Sequence, residues 1–167
     1  LDVILASTKP VIYSHSGCLA LCPHPRNVSD RNIRMLAEKG GVFGVYNQSG
    51  WLTKDPTISI DHFIDHVEHV INLGGEDSVA VGTDQDVVDM TAMRPTEVED
   101  HNRSFARRRQ QYPELTWEIK HMRVPELSHP QRLLHLVPAL QRRGYSTGRI
   151  EKIIGGNYAR LFREVVG

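Results

Sequence analysis

Residues 42–46 read Val42-Phe43-Gly44-Val45-Tyr46, and the chain on either side repeats their theme. The run is apolar throughout rather than alternating, the pattern of a strand covered on both faces of a parallel sheet. Upstream, Val11-Ile12-Tyr13 has the same character, and so has Val79-Ala80-Val81 downstream. Helical patterns fill the gaps. Ser29 can cap a helix with Ile33, Leu36 and Ala37 on one face, which stops at Gly40 and Gly41. Asp61 can cap a second, carrying Phe63, Val67, Val70 and Ile71 and stopping at Gly74 and Gly75. The order β-α-β-α-β predicts an α/β fold around a parallel sheet.

Beyond Asp84 this regularity fades. A helix is expected over 97–111, after which Pro113, Pro125 and Pro130 interrupt the pattern. Helical spacing returns over 133–143 with Gly144 as its stop, and again over 147–165, bent where Gly155 and Gly156 fall in its middle. The irregular insertion at about 87–130 reads as a lid or a partner-binding flap.

Composition narrows the class. A chain of 167 residues fits one domain, and 40% hydrophobic with 24% charged residues excludes a disordered tail or a collagen-like repeat. Two cysteines, Cys18 and Cys22, are too few for a disulfide scaffold. The longest apolar runs are strand-sized, well short of the ~20 residues that span a bilayer. A formal charge of zero argues against a nucleic-acid coat. The charge is nevertheless uneven: residues 1–100 hold 7 basic and 15 acidic groups, and residues 101–149 hold 10 and 3. That suggests an acidic site beside a basic flank. The chain opens Leu1-Asp2-Val3 without Met, as a processed chain or a piece of a longer one would.

Functional residues of parallel α/β folds gather at the C-terminal ends of strands. Here those positions hold Ser14-His15-Ser16, Asn47-Gln48 and Thr83-Asp84-Gln85-Asp86. A histidine at one strand end and an aspartate at another suit a metal-dependent hydrolase, in which imidazole ligates the metal and a carboxylate handles the proton. On spacing alone a hydrogen-bonded histidine at His15 and a helix-cap or turn aspartate at Asp84 is the favoured reading. Three other features read as structural. His62, His66 and His69 share one helix face, but no Glu follows His62 as HExxH requires. Arg107-Arg108-Arg109, with Tyr112 and Trp117 nearby, reads as a solvated helix face rather than an RNA contact. Cys18 and Cys22 lack a second pair to complete a metal site.

Several motifs in order carry more weight than any one. Pro10-Val-Ile-Tyr-Ser-His-Ser16, Arg26-Asn27, Gly82-Thr-Asp-Gln-Asp86, Arg143-Gly-Tyr-Ser146, Ile153-Ile-Gly-Gly-Asn157 and Arg160-Leu-Phe-Arg163 together resemble the renal (membrane) dipeptidase family of zinc peptidases, family M19. The resemblance runs over nearly the whole chain and is poorest over 87–125. It implies a TIM-type (β/α)8 barrel of the metal-dependent amidohydrolase kind, holding two zinc ions bridged by a carboxylate and hydrolysing the amide bond of a dipeptide. By that resemblance His15 is a zinc ligand following the sixth strand. Arg26 grips the free carboxylate of the substrate, and Asp84 contacts the substrate amine and shuttles the proton.

A complete barrel takes about 250 residues, so residues 1–167 are expected to be its C-terminal portion, about strands six to eight plus closing helices. The family's HxD pair, bridging glutamate and second histidine have no match here, so the isolated chain is expected to be inactive. The family's Asp-Phe-Asp-Gly is Asp84-Gln85-Asp86-Val87 in this chain. That departure, with the long insertion, leaves open a relative acting on another small amide. A non-catalytic domain that binds a partner through the basic 101–149 stretch is the alternative from a different class. The expected partner is a dipeptide, with no nucleic acid and no transmembrane segment. A homodimer of the complete protein and either a cytoplasmic or an exported location are compatible with the resemblance.

Overall fold

The computed structural model describes residues 2–55, 57–85, 94–111 and 123–167. Among them the elements run α1 (Asp2–Ala6), β1 (Ile12–Ser16), α2 (Asp30–Glu38), β2 (Val42–Val45), α3 (Ser49–Leu52), α4 (Ile60–Gly74), β3 (Val79–Val81), α5 (Pro95–Gln111), α6 (Leu133–Arg142), α7 (Thr147–Glu151) and α8 (Asn157–Val166). Short 3₁₀ turns cover Glu76–Ser78 and Pro125–Leu127, and a π-helical turn covers Lys152–Gly156. The three strands form a parallel sheet in the order β1-β2-β3. Spatial order follows chain order, without the reversal of a doubly wound sheet. The crossover helices α2 and α4 pack against each other and against β2, as the connections of consecutive βα units do.

The core lies between sheet and helices, where Phe43, Val45 and Val79 meet Ile33 and Leu36 of α2 and Phe63 and Val67 of α4. Val42–Val45 is buried on both faces, as its unbroken apolar run demands. Strand β1 is not: Ile12 is exposed, because β1 is the edge of this sheet. The Ser29 side chain caps α2 as expected. Helix α4 starts two residues earlier than an Asp61 cap implies, with Ser59 as its N-cap and the Ser59 N–H donating to His62 Nδ1 at 3.2 Å. Asp61 instead sits in the first turn, where a carboxylate suits the helix dipole, and pairs with Arg143.

One irregularity organises the rest. Tyr13 pairs with Phe43 and Ser16 with Val45, so Ser14 and His15 together oppose Gly44 alone. This is a β-bulge, which bends the strand and re-aims side chains. The bend is large. A Cβ added at Gly44 of β2, or at Gly82 just past β3, would stand well under 3 Å from the Ser14 carbonyl oxygen. Strands two places apart in a flat sheet lie about 9.5 Å from each other, so β3 reaches β1 only because the sheet curls. Glycine at both positions makes room for that carbonyl, which also accepts a hydrogen bond from Tyr158 Oη at 3.2 Å.

The remaining family-like motifs tie helices and strand starts into the frame. Arg143 bonds Asp61, Asp65 and Glu68 and fastens α6 to the acidic face of α4. Buried Asn157 donates to the carbonyls of Glu76 and Val79, and Arg160 to those of Gly40 and Asp77, where the chain enters β3 and β2. Gly155 breaks the helical dihedrals between α7 and α8, so the last helix bends where the two glycines stand.

The three histidines of α4 all have structural partners. His69 Nε2 meets Asp30 Oδ1 of α2 at 2.8 Å, and His62 closes the cap. His66 is fully buried: its Nδ1 accepts the Cys18 N–H at 2.8 Å, which leaves Nε2–H to donate to the Leu52 carbonyl at 2.9 Å. Burial pushes its pKa down to about 4. The unfolded chain therefore binds a proton between about pH 6.5 and 4 that the folded chain refuses, so this contribution is complete above pH 6.5 and is lost as pH falls. Acidification to pH 4 is expected to remove about 3 kcal/mol through His66. Urea midpoints of the full-length protein over that range, beside His66→Gln, measure it. An identical pH slope in both proteins would refute the assignment.

Candidate active site

The bulge turns His15 toward the C-terminal ends of the strands. Its Nδ1 lies 2.9 Å from Ser14 Oγ, and its Nε2 lies 3.9 Å from Asp84 Oδ2. The two residues belong to strand ends separated by β2, and the curl of the sheet brings them together. Asp84 itself has a left-handed backbone, φ +47°, a conformation that aspartate tolerates better than most residues.

Between them stands Tyr46, the residue after β2. Its ring lies 5.4 Å from the His15 ring, and its hydroxyl is 3.4 Å from Asp84 Oδ2 and 3.2 Å from Gln48 Oε1. One hydroxyl proton is divided between two acceptors. Burial raises the Tyr46 pKa above its usual value, against the nearby Arg123 charge and with the help of Asp84, so the phenol stays a donor.

Tyr46 also stacks on Trp51 of α3 at 4.3 Å, and Trp51 stacks on His24 at 5.2 Å. The Arg26 guanidinium lies over Trp51, 4.6 Å from the ring centre. A continuous row of rings thus leads from His15 to Arg26. Arg26 is carried on the loop after β1, which is pinned by Asn27. The Asn27 Nδ2 donates to the carbonyls of Cys22 and Trp51, and its Oδ1 accepts the Gly17 N–H. Ser16 Oγ donates to the Arg26 carbonyl at 2.8 Å. Cys18 and Cys22 in the same loop are free and buried, and burial takes the Cys18 thiol up to about 12. They are packing residues.

The structure therefore places His15 and Asp84 side by side and joins Arg26 to them through two rings. Asp86 lies outside the described residues, as do Val87, Tyr112 and Trp117. Asn47 and Gln48, read from the sequence as strand-end polar residues, act differently from each other. Asn47 is fully buried and clasps three neighbours, Gln85 Oε1, the Leu127 carbonyl and the Val124 N–H. Sequence reasoning passed over Tyr46, Trp51, Arg123 and Arg132. Tyr46 and Trp51 carried a signal, as aromatic residues within a few positions of a strand end. Arg123 carried none, since nothing in a proline-broken stretch announces a contact with residues about forty positions earlier.

In the 94–111 segment, Arg94 pairs with Glu97 and Arg103 with Asp100, so these two arginines are neutralised along their own helix. No helix among the described residues is long and apolar enough to cross a membrane.

The sequence pattern of the membrane dipeptidase family, peptidase family M19, matches residues 1–120. The chain belongs to that family. Dipeptidase tcpJ of Claviceps purpurea is 32% identical over 166 residues, covering 98% of this chain and 31% of that protein. Dipeptidase ataJ of Aspergillus terreus is 30% identical, with 98% and 33% covered. This membrane dipeptidase family chain thus spans about a third of the length of the curated relatives that align along it. Among solved structures, an amidohydrolase from Pseudomonas aeruginosa superposes with a TM-score of 0.73 at 32% identity, covering 98% of this chain and 48% of that one. A metallopeptidase from Rhodobacter sphaeroides, solved with a phosphinate mimic of the dipeptide L-Ala-D-Ala, gives 0.71 at 20% identity, covering 98% and 38%. The second likeness is one of fold.

Family membership implies a metal. Among the described residues no group of three or more His, Cys, Asp or Glu side chains could hold one, and a catalytic zinc takes about three protein ligands. His15 nevertheless has the form of a single ligand. A ligating imidazole ordinarily gives its second nitrogen to an oxygen partner, here Ser14 Oγ, and the Nε2 edge is turned to the strand ends.

Proposed function

We propose that the full-length protein hydrolyses the amide bond of dipeptides, and that this chain is the C-terminal part of its (β/α)8 barrel, about strands six to eight and the closing helices. The observation that carries the reading is the approach of His15 Nε2 and Asp84 Oδ2 to 3.9 Å at the ends of strands two places apart. The curled sheet supports the barrel, since flat strands would hold these groups away from each other.

In this reading His15 is one ligand of a site for two zinc ions whose other ligands lie elsewhere in the full-length protein. Zinc, when bound, lowers the pKa of its water to about 7 and polarises a carbonyl. The residues of this chain do the rest. Arg26, held over Trp51, presents its guanidinium fork to the free carboxylate of the dipeptide. Asp84 faces the substrate amine and carries a proton on Oδ2 to the leaving nitrogen. Tyr46 fixes the carboxylate by its hydrogen bond. The 167-residue chain by itself, with one histidine donor, turns over no substrate.

The test compares full-length protein, supplied with zinc, on free dipeptides and on their C-terminal amides. Hydrolysis of the free dipeptides is expected, and Arg26→Met should raise their KM about 10- to 100-fold, the loss of a charged hydrogen bond, while barely affecting the amides. Absence of turnover on a broad dipeptide panel, with zinc bound, overturns the proposal.

A further inference from the structure

Asp84 owes its direction to a residue far along the chain. We infer that Arg123 is a positioning residue for Asp84; this rests on the proton-carrying role proposed above. Successive carbonyls of an extended chain point to opposite sides. The carbonyls of Thr83 and Asp84 instead converge on one nitrogen, Arg123 Nη1, at 3.2 and 3.1 Å. They can do so because Asp84 is in the left-handed region, at φ +47°, and it is the one non-glycine residue with positive φ among those described. The clamp and the turn are two views of one arrangement, and the turn aims the carboxylate at His15.

Arg123 is itself held firmly. It forms an antiparallel bridge with Gln48, and the next N–H, that of Val124, donates to the carbonyl and to Oδ1 of buried Asn47 at 3.3 and 3.1 Å. Asn47 Nδ2 in turn donates to Gln85 Oε1 at 2.7 Å. Arg132 Nη1 adds a bond to Thr83 Oγ1 at 3.1 Å. The end of β2, the Arg123–Val124 segment and the loop after β3 thus close into a ring around Asp84. Without the guanidinium, Asp84 loses what holds it in αL, and its side chain turns away from the Nε2 edge of His15. A displacement of about 1 Å at a reacting group costs on the order of 100-fold.

The experiment uses the zinc-loaded full-length protein with Arg123→Ala, Arg123→Lys and Asp84→Asn. Arg123→Ala is expected to lower kcat about 10- to 100-fold, with a smaller rise in KM as Asp84 loosens from the substrate amine, and metal content equal to wild type. Lysine, which can reach one carbonyl but not fork between two, should restore part of the rate, and added guanidinium should restore part of the alanine variant's. If the alanine variant fails to fold, Arg123→Lys and Arg123→Gln carry the same comparison. Wild-type kcat in Arg123→Ala beside an inactive Asp84→Asn overturns the positioning role and leaves the role of Asp84 standing. Loss of zinc in step with kcat makes Arg123 a merely structural residue and overturns it too. An active Asp84→Asn takes both readings down.

Discussion

Asp84→Asn in the full-length protein is expected to lower kcat on a dipeptide by about 100- to 10,000-fold, the usual worth of a positioned acid–base group, while leaving the melting temperature in place. Asparagine is nearly the same size, and it accepts a left-handed backbone as readily as aspartate does. It can keep the hydrogen bond from Tyr46 and the carbonyl bonds to Arg123. What it cannot do is take up and release a proton at Oδ2. The substitution therefore removes the proton carrier and the charge facing the substrate amine, and spares the fold around them, including the side chain that faces His15 at 3.9 Å. Steady-state kinetics alongside thermal melting separate the two. Activity within a fewfold of wild type would show that Asp84 is a turn residue and nothing more.

The elements with a single strong period were legible. Val42–Val45 and Val79–Val81 are strands where continuous apolar runs stood, and α2 and α4 end at the glycines that the spacing marked. What escaped was whatever depends on partners distant in the chain. Val11-Ile12-Tyr13 predicted a shorter strand than Ile12–Ser16, because the bulge that extends β1 is a property of its pairing with Gly44 and leaves no mark in β1 itself. Asp61 and Ser59 are both reasonable caps, and the choice fell to Ser59 once Asp61 had Arg143 to pair with. The site divides in the same way. His15 and Asp84 were visible as polar residues beyond apolar runs, but strand order sets them two places apart, and their nearness comes from the curl of the sheet, which the sequence did not announce. The left-handed turn at Asp84 was hidden, since its partners Arg123 and Arg132 stand about forty or more positions later in the chain.

The starts of the strands have a duty of their own, and this accounts for why Asn157 and Arg160 touch no candidate site residue. Arg143, Asn157 and Arg160 bond to helix faces and to backbone where strands begin. The candidate site residues His15 and Asp84 stand where strands end. In βα repeats the two ends vary independently, so a site can change while the frame is kept. The acidic excess before residue 101 also gains a partial account, since Asp61, Asp65 and Glu68 serve Arg143 rather than a metal.

The curl of the sheet is what assembles the site, and Gly44→Ala tests it. A methyl at Gly44 would overlap the Ser14 carbonyl and the Tyr158 hydroxyl at once, both well under 3 Å. The carbonyl belongs to backbone inside the bulge and cannot swing aside as a flexible side chain would. The hydroxyl is held by its bond to that same carbonyl, and burial takes its pKa up to about 12, so it remains a neutral donor at all ordinary pH. Relief therefore requires β1 to lift from β2. That would flatten the bulge and move His15 away from Asp84. Overpacking typically costs 1–3 kcal/mol, and a clash against backbone belongs at or above the upper end, so a loss of about 3 kcal/mol is expected. Tyr158→Phe combined with Gly44→Ala removes one of the two overlaps and should recover a part of the loss but not most of it, because the carbonyl stays. Urea denaturation of the two single variants and the double variant reads this out. Wild-type stability in Gly44→Ala would mean that the bulge carbonyl does not stand over β2, and with it would go the reason why two distant strand ends meet.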